Sequence, residues 1–358
     1  MHRISILLLL LVFCPAARNA VAADLHDLTI LGDNYPRVFY FRAAESACSE
    51  QAYPTYRSWE RNFDGLMGIM GKSLNEECLG REPRNPVFFS RFKKRHPKQV
   101  VLLHFNGNSR DPLYEKENFF PGHCIYRTAV RLPEDIPAVN GESVIHVADT
   151  TQFKVNSGRY RTHNDDIALF GIKDGTHDWA HCEHVRLLAI DHDAGTLTVE
   201  RGCYGSDPLA FAGGRSRAAA HQSEGPWGPN NHFLWYYNYA THCPRDPEGK
   251  TCADRLVDDL AGWFGPGGKL AAFDGLEFDV LFNVTRGDTD GDGIVDDGVV
   301  DGRNKYGIGV VEFGKQLRAR MGEDFIIQAD GALGPGGIRS QRNFTIFNGI
   351  ESEGWPNL

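Results

Sequence analysis

Two carboxylates, Glu277 and Asp279, interrupt the apolar run FDGLEFDV at 273–280. A strand sends successive side chains to opposite faces, so these two project together while Leu276, Phe278 and Val280 pack behind them. Charge inside a buried strand is unfavourable unless it is paired or put to use. Paired carboxylates serve proton transfer and nucleophilic attack: one acid protonates a leaving oxygen while the other attacks or activates water. Directly downstream, Asp288, Asp290, Asp292, Gly293 and Asp296 fit the D-x-D-x-D-G-x-x-D spacing of a calcium loop. Ile294 would add its backbone carbonyl. Position twelve is Val299 rather than Glu, so Asp297 or Asp301 is expected to complete the ligand set of a loop over 288–301. A strand, not a helix, leads into this loop, which fits a structural Ca2+ ion better than a sensor.

Short, almost continuously apolar runs must hold these groups in place. They lie at 37–42 (RVFYFR), 99–106 (QVVLLHFN), 232–240 (HFLWYYNYA), 273–281, 325–330 (FIIQAD) and 345–351 (TIFNGIE). Runs of this kind predict strands covered on both faces, as in a parallel sheet. Helical patterns fall between them at 56–72, 251–264 and 305–321. The alternation predicts an α/β fold of the (β/α)8 TIM-barrel type. A doubly wound sheet fits less well, because no Gly-rich phosphate turn follows the first strand. About six strands are accounted for, and the expectation is an incomplete barrel. Between 132 and 225 the rhythm changes to short alternating strands and turns, which predicts a small all-β module inserted into the barrel. The expected division is a signal peptide at 1–23, the first barrel part at 24–131, the module at 132–225 and the second barrel part at 226–358.

Barrel enzymes place their chemistry at the carboxyl ends of the strands. Those ends offer Asn106 and Asn108, Asn238 and Tyr239, Glu277 and Asp279, Gln328 and Asp330, and Glu351 with Glu353. Convergent carboxylates and amides, with Tyr239 and Trp355 as stacking surfaces, suit a carbohydrate and the cleavage of a glycosidic bond. The segments FDGLEFDV, QADG and NGIESEG together resemble glycoside-hydrolase-like barrels near the α-galactosidase superfamily. That resemblance implies Asp279 as nucleophile and Glu351 or Glu353 as acid/base; Glu277 and Asp330 are further catalytic candidates from their strand-end positions alone. Asn106, Asn108, Asn238, Tyr239 and Trp355 are the expected substrate contacts. A non-catalytic carbohydrate-binding protein and a metal-dependent exported hydrolase such as a phosphodiesterase are the alternatives, since one fold hosts many chemistries.

The amino-terminal pattern is that of a secretory signal: His2 and Arg3, an apolar run over 4–14, then small residues up to a cleavage site near Ala23. The apolar run is shorter than the roughly 20 residues that cross a bilayer. A secreted or periplasmic protein without a membrane span is expected. In such a compartment the seven cysteines beyond Cys14 predict disulfides, with proximity suggesting Cys243–Cys252, Cys182–Cys203 and Cys48–Cys78. A net charge of −9 argues against nucleic acid as a partner. His177, His181, His184 and His192 lack convincing zinc-ligand spacing. Neither a Gly-x-Ser-x-Gly elbow nor a P-loop is present.

Overall fold

The computed structural model describes residues 100–113, 119–227, 232–281, 285–296 and 303–330, with shorter stretches at 38–41, 67–71, 77–78, 82–83, 90, 93–94, 97–98, 299–300 and 346–351. Six strands form one parallel sheet: Val38–Phe41, Met67–Gly71, Val101–Asn106, Gly275–Asp279, Ile326–Asp330 and Gly349–Glu351. Each pairs with its neighbour in chain order, and every pairing is parallel. Alternate side chains Val101, Leu103, Leu276, Phe278, Ile327 and Ala329 face one core, shared with the helices Cys252–Phe264 and Lys305–Met321. The remaining positions, including His104, Asn106, Glu277 and Asp279, face the opposite side.

The first helix begins in a capping box, in which Thr251 and Asp254 bond reciprocally. Such a cap stabilises the helix by about 1 kcal/mol. Its stripe Leu256, Val257, Leu260 and Phe264 is buried against the sheet. Gly309 lets the second helix approach closely, since a Cβ there would lie 1.5 Å from the Tyr239 carbonyl oxygen. Arg318 of that helix donates to the carbonyls of Ile346 and Phe325 and to Oδ1 of Asn348. These bonds tie down the segment that leads into the edge strand Gly349–Glu351.

The (β/α)8 barrel expected from the sequence does not form. The sheet is an open half-barrel with Val38–Phe41 and Gly349–Glu351 at its edges, and the described residues contain two α-helices against nineteen strands. Two local readings explain the difference. Within the predicted helix 56–72, the apolar stretch Met67–Gly71 is a parallel strand; short apolar runs suit either state. The run 232–240 supplies His232–Tyr236 to a three-stranded antiparallel sheet with Ser223–Trp227 and Ser109–Arg110. Trp235 packs into one cluster and Tyr236 and Tyr237 against another, so both faces are apolar without a parallel sheet.

A second six-stranded sheet, all antiparallel, runs in the order Val130–Arg131, Ser216–Ala220, Asp166–Lys173, Thr176–Asp191, Thr196–Arg201, Gly141–His146. Ile145, Ile167, Leu169, Val185, Leu187, Leu197 and Val199 fill its own core. Glu183 and Arg201, both buried, form a bidentate pair at 2.6 Å beside that core.

The expected disulfides are absent among the described residues. Cys124, Cys182, Cys203, Cys243 and Cys252 are all free thiols. Burial raises the thiol pKa of Cys124 and of Cys243 to about 12, which keeps them protonated and unreactive. Cys48 lies outside the described residues.

Candidate active site

The parallel register decides which groups meet. Glu277 sits level with His104 on one neighbouring strand and Gln328 on the other, and one residue pair further along Asp279 sits level with Asn106. Asp330 pairs with Glu351 at the next strand boundary. Side chains in register on adjacent parallel strands share a face about 5 Å apart. The carboxyl edge of the sheet therefore carries two rows, His104–Glu277–Gln328 below and Asn106–Asp279 above.

His104 joins the rows. Its Nδ1 is 2.6 Å from Oε2 of Glu277, and its Nε2 is 3.3 Å from Oδ2 of Asp279. Burial alone would lower the imidazole pKa, but the bonds to Asp279 and Glu277 outweigh it and raise the value to about 9. The ring is thus an imidazolium at neutral pH, shared by two carboxylates. Those carboxylates have unlike surroundings: the Glu277 side chain is fully buried, whereas that of Asp279 is 33% exposed. Among the described residues Oε1 of Glu277 has no hydrogen-bond partner. Asp279 is the exposed carboxylate of the two, and Glu277 anchors His104 beneath it.

The backbone after Asp279 is strained. Val280 has φ +51°, a left-handed conformation that a β-branched residue rarely adopts. Holding it costs about 1–3 kcal/mol, and such residues concentrate at functional sites. The Asp279 carbonyl accepts from Gly107 N at 2.7 Å, and the Gly107 carbonyl in turn accepts from the Tyr239 hydroxyl at 2.8 Å. The two strand ends are stitched together by this turn.

Of the expected substrate contacts, Asn106 lies at the edge, while Asn108, Asn238 and Tyr239 are buried. The Asn238 amide donates to the carbonyls of Gly122 and Thr289, and Tyr239 belongs to the helix-facing core. Asp330 and Glu351 are placed by their strands alone. Glu353, Trp355 and Asp301 lie outside the described residues.

Two residues of the edge escape sequence reading. His104 sits two positions before Asn106, on the same face, but only the pairing with Gly275–Asp279 reveals its role. Glu224 is carried by Ser223–Trp227 and accepts hydrogen bonds from the Asn106 amide and the Ser109 hydroxyl. Nothing in its local sequence marks it.

The acidic loop is docked against the antiparallel sheet. Asp288 accepts from Gly291 N and Gly293 N and meets His177 at 3.1 Å, both side chains being buried. Gly293 has φ +89°, which fits the sharp turn expected there. Arg217 donates to the Asp292 carbonyl, Ala129 N to the Gly293 carbonyl and His177 N to the Gly291 carbonyl. Single carboxylate oxygens of Asp288, Asp290 and Asp292 lie within 4.8 Å of one another, as do ligand atoms of His242, Asp290 and Asp296. Asp290 belongs to both groups. His177, His181, His184 and His192 each bond a different partner through one ring nitrogen: Asp288, the Ala210 carbonyl, His221 and Thr150.

No protein-family model and no curated protein matches the chain. Among solved structures, a "Family GH13_31 enzyme" is similar over 92% of this chain and 52% of that one, at 9% identity and a TM-score of 0.40. The chain spans about half the length of that enzyme. No helix among the described residues is long and apolar enough to cross a membrane.

Proposed function

We propose that the chain is an exported glycoside-hydrolase-like enzyme in which Asp279 is the carboxylate that attacks or activates water at the anomeric carbon. The observation that carries this reading is the pairing of Asp279 with an imidazolium anchored by a fully buried glutamate. A reactive carboxylate must stay ionised and fixed in direction. His104 supplies a positive charge on one side of Asp279 and leaves the other side open to a ligand. Glu351 is the acid/base partner in this account. Its strand pairs with Ile326–Asp330, and that strand pairs with Gly275–Asp279. Export rests on the pattern of residues 1–23.

A structural Ca2+ ion in the acidic loop belongs to the same proposal. The donor set is carboxylate oxygen from Asp288, Asp290, Asp292 and Asp296 with the Ile294 carbonyl, the hard-oxygen chemistry that calcium prefers. The ion would neutralise the carboxylates crowded around Asp290 and stiffen the loop that follows the Asp279 strand.

The test is hydrolysis of a panel of 4-nitrophenyl glycosides and polysaccharides by the full chain, its Asp279→Asn variant and its Glu351→Gln variant. Turnover that both substitutions reduce roughly 10³-fold supports the assignment. Turnover indifferent to both removes it. Turnover that needs a divalent metal at constant folded fraction favours the metal-dependent hydrolase instead.

A further inference from the structure

We infer that Glu224, Asn106 and Tyr236 form a hydroxyl-recognising subsite beside Asp279, through which the antiparallel part of the chain reads a sugar bearing free adjacent hydroxyl groups. This rests on the glycoside-hydrolase reading above and adds to it the residue that selects the substrate.

The geometry starts from Asn106, level with Asp279 on the next parallel strand. Its amide oxygen accepts from Asn108 N and Ser109 N, both at 2.9 Å. Those two bonds fix the amide plane, and its NH₂ group donates to Oε1 of Glu224 at 2.6 Å. The Ser109 hydroxyl reaches the same oxygen at 2.5 Å, and the Tyr236 hydroxyl lies 3.3 Å from Oε2. Ser109 and Tyr236 are themselves in register across the three-stranded sheet. Glu224 is therefore held one hydrogen bond from the neighbour of Asp279 by a strand that lies outside the parallel sheet.

The chemistry of this cluster is unlike that of a structural ion pair. Among the described residues every donor to Glu224 is a neutral group, and no cation pairs with it. A half-buried carboxylate without a counter-charge is unfavourable. An ionised carboxylate offers about four lone-pair sites and can only accept. Three are taken here, and the weak 3.3 Å bond leaves Oε2 the less satisfied oxygen. One hydroxyl of a diol can donate to the remaining site on Oε2, and the adjacent hydroxyl can accept the second hydrogen of the Asn106 amide. A site built to bond a hydroxyl discriminates strongly against the analogue that lacks it, because its own polar groups are then left unpaired.

The probes are methyl glycosides of common hexoses and their monodeoxy analogues. Binding is read by saturation-transfer NMR, and KM and kcat with the matching 4-nitrophenyl glycosides. The full chain is compared with Glu224→Gln, Tyr236→Phe and Asp279→Asn, each checked for an unchanged melting profile. Glu224→Gln should weaken binding at least 10-fold, with the loss falling on KM more than kcat. It should also erase the preference for the parent sugar over one deoxy analogue. Unchanged binding, or equal weakening for parent and deoxy sugars, would overturn the inference. If Asp279→Asn keeps full turnover while Glu224→Gln still weakens binding of the parent sugar alone, the catalytic reading fails and the subsite stands. If no glycoside binds at all, both fail together.

Discussion

Oε2 of Glu277, a residue without solvent exposure, lies 2.6 Å from Nδ1 of His104. A carboxylate buried so completely is tolerable only with that partner. The pair fixes the imidazole, and the imidazole presents its other nitrogen to Asp279. The lower row of the sheet thus prepares the upper one.

Removing the imidazole should expose the dependence. His104→Ala leaves Glu277 as an uncompensated buried charge and should cost about 3–5 kcal/mol in urea unfolding. Glu277→Gln should cost less, and combining the two should recover part of the loss, because the substitutions share one interaction. Additive losses would show that the pair is not coupled.

Stability should peak near pH 6.5. The His104 pKa is raised to about 9, so the stability it contributes is complete below the unfolded value of 6.5 and lost as pH rises through 9. Burial lowers His184 to about 3 and takes His221 well below 6.5. Their neutral forms are the folded ones, so that contribution is present above pH 6.5 and lost as pH falls toward 3. Urea midpoints at pH 4.5, 6.5 and 9.5 should describe a dome. His104→Gln should flatten its alkaline side alone.

Calcium should raise the melting temperature. At about a hundredfold excess over Kd, a bound ion adds about 2.7 kcal/mol, worth roughly 4 °C in a chain of this size. Asp290→Ala should abolish the gain, since Asp290 is common to both ligand groups. A melting curve insensitive to calcium would remove the ion from the account.

Gly275→Ala should be among the most damaging small substitutions. A Cβ there would lie 1.9 Å from the Ile326 carbonyl oxygen, in the backbone of the next strand. The strands cannot separate without losing their pairing, so a cost of roughly 3 kcal/mol is expected in urea unfolding.

Strand positions in the parallel sheet were legible where apolar residues crowd together. The predicted runs at 99–106, 273–281 and 325–330 contain Val101–Asn106, Gly275–Asp279 and Ile326–Asp330. The closed barrel was misread because HFLWYYNYA is apolar on both faces for another reason, being wedged between two clusters. Met67–Gly71 was hidden because GLMGIMG carries no alternation to separate strand from helix. Glu277 and Asp279 announced themselves by charge inside an apolar run. His104 did not, because a histidine in a strand acquires meaning only from the register that sets it opposite Glu277. Glu224 is remote in sequence, 118 residues from Asn106, and only the tertiary fold brings the two together.

The most direct measurement of the central claim is the kcat of the full chain and of Asp279→Asn on the 4-nitrophenyl glycoside that the wild type cleaves fastest, with folded fraction matched by circular dichroism. The account predicts a loss of roughly 10³-fold in kcat for the variant. Equal kcat for the two proteins would contradict it.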